Sequence, residues 1–223
     1  MSRPGRLTTT SYAILGLLSV RSWTTYELTQ QMSRSLGRVW PRAQSKIYEE
    51  PKKLVAQGLA RASDERVGER RRTRYTITPK GRRALAGWLA EPGAGPVLES
   101  EQLVKVLFAH QGTKADTLAT LAAARAWAVE QNVDNLATAR AYATGEGEFQ
   151  AHAAQNMLAG AFLTELYRMV AEWSDWATGL VETWPDDPSE AVADLDALAA
   201  VVRRAEWSEQ PGQDPAPEAR PTS

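Results

Sequence analysis

The apolar positions change period twice within the first ninety residues. Ile14, Leu17 and Leu18 recur at i, i+3, i+4 within residues 9–20, the spacing of one buried helical face. Thr24 is followed three residues on by Glu27, a capping box that satisfies two orphan backbone donors, so a second helix starts at Thr24 and buries Leu28 and Met32. Gly37 and Pro41 break the pattern. A third helix is expected from Pro41, a residue suited to a first helical turn, through Ile47, Leu54 and Val55 to a cap at Gly58. Pro51 falls inside that span. There its ring would meet the Ile47 carbonyl, at about 3 kcal/mol in a regular helix, so a kink is expected at Pro51, separating the first half of the helix from a core-packing second half; the alternative is that the helix boundary lies elsewhere.

After Gly58 the period becomes two. "LARAS" alternates apolar and polar as a half-buried strand does, and "DERVGER" reads as a turn around Gly68. In "RRRTRYTIT" Thr73, Tyr75 and Ile77 fall on one face, and Arg70, Arg72, Arg74 and Thr76 on the other. Thr78 then caps a fourth helix opening on Pro79, with Leu85, Trp88 and Leu89 as its expected buried face. The order helix, helix, helix, strand, strand, helix is a winged helix-turn-helix. Residues 1–92 form this expected domain, and "EPGAGP" is its boundary.

The rest reads as helix. Leu103, Val106 and Leu107 mark one within 98–110, and Leu118, Leu121, Ala122, Val129, Val133 and Leu136 a long one over 114–144. After "GEGE", Leu163, Leu166, Tyr167, Val170, Trp173 and Ala177 mark another over 150–183, and Val192, Leu195, Ala199 and Val202 a last. Long helices with narrow apolar stripes need a partner to cover them, from the same chain or a second copy. With one wing and one recognition helix per chain a dimer is the more economical reading, so residues 98–207 are expected to form a helical dimerisation domain. Residues 208–223 carry four prolines and no apolar period and read as a disordered tail. The fold class is mainly α with a small β-hairpin wing: a winged helix-turn-helix domain joined to an all-α dimerisation domain.

The formal net charge of −1 conceals a division. Residues 1–90 hold 18 Lys and Arg against 6 Asp and Glu, a net +12, and residues 91–223 a net −13. Such a split points to a polyanion-binding module joined to an acidic one. With no cysteine there is no disulfide framework, thiolate metal site or cysteine nucleophile, which fits a cytoplasmic protein. No apolar run approaches the roughly 20 residues of a membrane span, and the apolar stretch after the N-terminal arginines reads as the first helix, not a leader.

In a helix-turn-helix the N-terminal part of the second helix of the motif enters the major groove, here within "RAQSKIYEEPKK", so the half before the kink expected at Pro51 is the DNA-reading one. Arg42, Gln44, Ser45, Lys46 and Tyr48 are the candidate base readers, and Lys52 and Lys53 face phosphates. Arg70, Arg71, Arg72 and Arg74 of the wing would follow the backbone or enter a minor groove. The expected partner is double-stranded DNA with a pseudo-palindromic operator, matched to a homodimer.

These residues resemble the PadR family of bacterial transcriptional regulators. "TYELTQQM" resembles the family's second helix, "WPRAQSKIYEEPKKLVAQGLA" its recognition helix and "RRTRYTITPKGRRALAGWL" its wing and following helix. "FLTELYRMVAEWSDWATGL" is similar to the dimerisation domain of longer members. Thr25 stands where a glycine is common, and Glu49 and Pro51 replace residues more usually basic and apolar. The resemblance implies a dimeric repressor, in some relatives released from DNA by aromatic or drug-like molecules.

Two of the eight tryptophans, Trp127 and Trp176, are the candidate effector-pocket residues, since indole suits a flat ligand. Trp173 belongs to the apolar stripe, and Trp40 and Trp88 to the core of the first half. His110 and His152 are too far apart for a local metal motif, "GEGE" has no phosphate-loop context, and no nucleophile elbow is present, so neither enzyme, cofactor nor metal is expected. A winged helix serving protein–protein interaction without specific DNA binding is the alternative.

Overall fold

The computed structural model describes residues 7–41, 47–67 and 70–209. The chain forms two compact units, Met1–Pro96 and Val97–Ser223.

In the first unit α1 spans Thr9–Val20. Its cap is Thr8, whose side chain accepts from the Ser11 backbone while the Ser11 hydroxyl accepts from Thr8 N–H. A two-residue strand, β1 (Trp23–Thr24), leads into α2 (Thr25–Gln31), and the Thr24–Glu27 capping box is formed in both directions. The helical path continues through a π-helical stretch, Met32–Leu36. Then come α3 (Glu50–Ala56), β2 (Ala60–Val67), β3 (Arg70–Ile77) and α4 (Pro79–Leu89), the last capped by Thr78. The sheet is antiparallel in the order β1-β3-β2. Ile14, Leu15 and Leu18 of α1 close on Leu28, Met32, Ile47, Leu54, Tyr75 and Ile77, all buried.

Three local expectations change, while the expected cap at Gly58 is formed. Residues 47–49 form a turn and the helix begins only at Glu50, so Pro51 occupies the first helical turn, where no N–H is needed and no kink arises. Gly58 closes that helix with φ +70, a conformation costly for residues with a Cβ. The first hairpin strand runs further than alternation suggested, taking Asp64–Val67 into β2, while the second keeps its expected extent, and β1 was too short to leave a periodic signal. On α4, Leu85 is half-buried while Trp88 and Leu89 are exposed; Trp88 stacks on Tyr12 with centroids 4.9 Å apart and planes 5° apart. The buried residue of α4 is Gly81, because that helix approaches Leu59 closely.

The second unit contains α5 (Glu101–Leu107), α6 (Lys114–Ala143), α7 (Ala153–Glu182) and α8 (Leu195–Ala205). Partners run in opposite directions along α6 and α7. Lys114 Nζ donates to the carbonyls of Glu182 and Trp184 at 2.7 and 2.8 Å, closing the end of α7. Arg125 Nε meets Asp175 Oδ1 at 2.7 Å, Asn135 Nδ2 donates to Thr164 Oγ1 at 2.8 Å, and Asn156 Nδ2 to the Tyr142 hydroxyl at 2.7 Å. The two helices therefore form an antiparallel hairpin. Leu121, Ala177 and Val181 are its buried cluster, with Val106, Leu118, Trp173 and Trp184 against it.

The seam is made largely of small and polar residues (Thr117, Ala124, Ala128, Asn135, Ser174, Ala177). Much of the apolar stripe faces outward instead. Val129, Val133 and Leu136 of α6 are exposed, as are Leu158, Phe162 and Met169 of α7. No described helix is long and apolar enough to cross a membrane. Of the expected tail, residues 210–223 lie outside the described residues.

Candidate nucleic-acid interface

The hairpin separates its residues by alternation. Tyr75 and Ile77 are buried on one face, and Arg72, Arg74 and Thr76 stand on the other. Arg72 lies opposite Glu65 and Arg74 opposite Ser63 in the ladder. The two arginines nevertheless differ. Arg72 is exposed and makes no ion pair among the described residues. Arg74 is held on three sides: Nε to Glu65 Oε2 at 2.8 Å, Nη1 to the Ser22 carbonyl at 3.1 Å and Nη1 to Glu27 Oε2 at 3.6 Å. Its side chain is 31% exposed, and it braces the hairpin against the start of α2.

Glu27 is placed for that contact by its cap. Its carboxylate accepts from Thr24 N–H at 2.7 Å, which does most to hold its pKa below the ordinary glutamate range. The Thr24 hydroxyl, Arg74 and Arg21 act in the same sense, against a partial desolvation. Arg21 in turn lies over the Trp23 ring, 3.8 Å from its centroid. Arg70 and Arg71 pair with Val67 and Arg66 in the ladder; their side chains lie outside the description.

On the other candidate element, Tyr48, Lys52 and Lys53 are exposed. Lys53 Nζ lies 3.4 Å from Glu50 Oε2, so part of its charge is matched within the fold. Arg42, Gln44, Ser45 and Lys46 lie outside the described residues. Lys52 and Lys53 belong to the same folded unit as the hairpin, since α3 turns directly into β2, with Leu59 N–H donating to the Leu54 carbonyl at 2.8 Å.

Three anchoring contacts have no counterpart in the sequence pattern. Glu50 is 5% exposed and accepts from the Ser11 hydroxyl. Trp40 Nε1 donates to Thr10 Oγ1 at 3.1 Å, while the ring itself stays partly exposed. Arg74 is the third. The only signal that could have flagged the first two is the run of hydroxyl residues Thr8–Ser11, more polar than a helix cap requires.

In the second unit Trp176 lines a groove of about 460 Å3 with Leu180, Trp184, Asp194, Leu198 and Val201. It also borders a smaller hollow of about 250 Å3 with Met169, Trp173 and Arg204. Trp127 does not share the groove; it packs edge-on against the buried Tyr167, centroids 5.7 Å apart and planes at 78°. The two tryptophans are therefore not brought together. Among the described residues no three acidic or histidine side chains gather as metal ligands would.

Residues 14–87 match the transcriptional regulator PadR-like family. The negative transcriptional regulator PadR of Bacillus subtilis is 32% identical over 99 residues, covering 44% of this chain and 54% of that protein. The chain thus matches about half the length of this curated relative. In fold it is similar to Bacillus subtilis PadR in complex with operator DNA, with a TM-score of 0.68 and 21% identity over 78% of this chain and 99% of that one. It is similar also to the same protein in complex with p-coumaric acid, with a TM-score of 0.62 and 20% identity over 79% and 99%.

Proposed function

We propose that this chain, which belongs to the PadR-like family of transcriptional regulators through its residues 14–87, is a sequence-specific DNA-binding repressor that works as a homodimer and is relieved by a small aromatic or drug-like molecule. The observation that carries the reading is the outer face of the hairpin. Positive charge on that face, with Arg72 exposed and Glu65 across from it engaged by Arg74 instead, is what a phosphate backbone attracts. The candidate base readers are Tyr48 together with Arg42, Gln44, Ser45 and Lys46, which lie outside the described residues, since hydrogen-bonding side chains distinguish base edges. The exposed Lys52 and Lys53 are the candidate phosphate contacts.

The dimer is supported by the outward apolar faces of the helical hairpin. Val129, Val133 and Leu136 share one face of α6, and Leu158, Phe162 and Met169 one face of α7, by helical spacing. Exposed stripes of this extent mark association surfaces. A two-fold protein would read a two-fold operator. The Trp176 groove, apolar with few polar groups, supports a small-molecule effector. The names of the relatives agree: one is a negative regulator, solved with operator DNA and with a phenolic acid.

A gel-shift of the full chain on the DNA upstream of its own reading frame tests the proposal. Retardation that survives excess unrelated DNA is expected. Loss of the shift under such competition, across all nearby promoters, would favour the interaction-module reading instead.

A further inference from the structure

We infer that Thr10 and Ser11, neighbours in the first turn of α1, are positioning residues for DNA reading: through Trp40 and Glu50 they fix both ends of the stretch that leads into α3. The inference rests on the DNA-binding function proposed above. Trp40 and Glu50 are ten positions apart, yet their side chains end on adjacent residues of one helix. Trp40 Nε1 donates to Thr10 Oγ1 at 3.1 Å, and Glu50 Oε1 accepts from Ser11 Oγ. Thr10, Ser11 and Glu50 are all buried, as is Ile47 between the anchors. Tyr48 and Glu49, which follow Ile47, are exposed.

The chemistry at Glu50 gives this anchor a direction. An ionised carboxylate only accepts, so the Ser11 hydroxyl must donate to it, which leaves the Ser11 oxygen to accept from Thr8 N–H at 2.9 Å. Lys53 Nζ, 3.4 Å from Glu50 Oε2, compensates the buried charge. The cap of α1 and the start of α3 are thereby one polar network. Every buried side-chain polar atom among the described residues has a partner, so nothing in it is slack. Neither Thr10 nor Ser11 has a surface from which to touch DNA, so their effect passes through Trp40 and Glu50.

The arrangement predicts a specific dissociation between two properties of binding. Phosphate neutralisation depends on how many cations meet the backbone, and base discrimination on where the reading side chains stand. Loosening an anchor should therefore lower discrimination and leave the salt slope alone.

The test uses the full chain with two labelled duplexes, the DNA upstream of its own reading frame and a shuffled duplex of the same composition. Thr10→Val is isosteric and removes the acceptor for Trp40; Glu50→Gln keeps the shape and removes the charge; Thr10→Ser restores the hydroxyl. Thr10→Val and Glu50→Gln should each reduce the preference for the upstream duplex by about 3- to 10-fold, the worth of one hydrogen bond, and Thr10→Val, which alters no charge, should leave the Kd for the shuffled duplex and the salt slope unchanged. Thr10→Ser should recover wild-type preference, and urea unfolding of each variant separates this from loss of fold. Equal losses on both duplexes, or preference unchanged in both variants, would overturn the anchoring role. A wild-type chain that binds both duplexes alike would instead overturn the DNA-reading function and the anchoring role with it.

Discussion

Gly81 is where the wing unit has least room, and replacing it by alanine has a calculable consequence. A Cβ built there stands 2.1 Å from the Leu59 carbonyl oxygen and 2.9 Å from Ile77 Cγ1. Real Cβ atoms do not approach within 3.0 Å, so α4 or the start of β2 must shift by about 0.9 Å. The obstacle is backbone, which cannot swing aside. That carbonyl also accepts from Thr78 N–H at 3.0 Å and from the Thr78 hydroxyl at 3.1 Å. Overpacking costs about 1–3 kcal/mol. Weakening two hydrogen bonds adds about 1 kcal/mol or more, and the helix preference of alanine returns about 0.8–1.0 kcal/mol at most. Gly81→Ala should therefore destabilise this unit by about 1–3 kcal/mol. Gly87 lies on the same helix with nothing within 4 Å, so Gly87→Ala should stabilise by up to about 0.8–1.0 kcal/mol. Amide hydrogen exchange along the β2–β3 ladder, followed through a urea series, reports this unit apart from the helical one. Equal stability of the two variants would refute the close-approach argument.

Arg74→Ala should destabilise the wing unit by about 1–2 kcal/mol, because it removes partly screened ion pairs with Glu65 and Glu27 and a charged hydrogen bond to Ser22. Arg72→Ala should leave stability within about 0.5 kcal/mol in the same urea experiment. Glu27 has a lowered folded-state pKa, so its contribution is complete above the ordinary glutamate range and is lost as pH falls through the folded value. The stability gap between wild type and Glu27→Gln should accordingly be present at pH 7 and close on acidification below about pH 4. Leu158→Glu with Phe162→Glu, two positions on the exposed face of α7, should convert a dimer to monomers in sedimentation at micromolar concentration while helicity persists.

The sequence pattern was most informative where one local rule acts alone. The Thr24–Glu27 capping box, the Thr78 cap before Pro79 and the cap at Gly58 follow from residue chemistry within a few positions, and each is formed. The alternation of Tyr75 and Ile77 against Arg72 and Arg74 survives because strand side chains alternate whatever surrounds them. Pro51 was misplaced because a proline reads equally as a kink or as a first turn, and only tertiary contacts at Glu50 decide which. Trp88 and Leu89 fall on a helical stripe, yet the close approach at Gly81 puts a residue without a side chain at the core and leaves the tryptophan stacked on Tyr12. Val129, Val133 and Leu136 were legible as an apolar stripe. Periodicity does not say whether a stripe meets the same chain or another, and here the α6–α7 seam uses Thr117, Ala124, Ala128 and Ser174 instead. In the candidate site, net charge identified the basic hairpin, whereas the engagement of Arg74 depends on carboxylates 47 and 9 positions away that no local pattern links to it.

The most direct test of DNA recognition by this unit is the salt dependence of binding, for wild type and Arg72→Ala, on the duplex upstream of its reading frame. A dimer meeting about 6–10 phosphates should lose roughly 10³- to 10⁵-fold in affinity between 50 and 200 mM salt. Removing Arg72 from both protomers should flatten the slope by about 1.8. Affinity that is insensitive to salt, or a slope identical in the two proteins, would contradict the account.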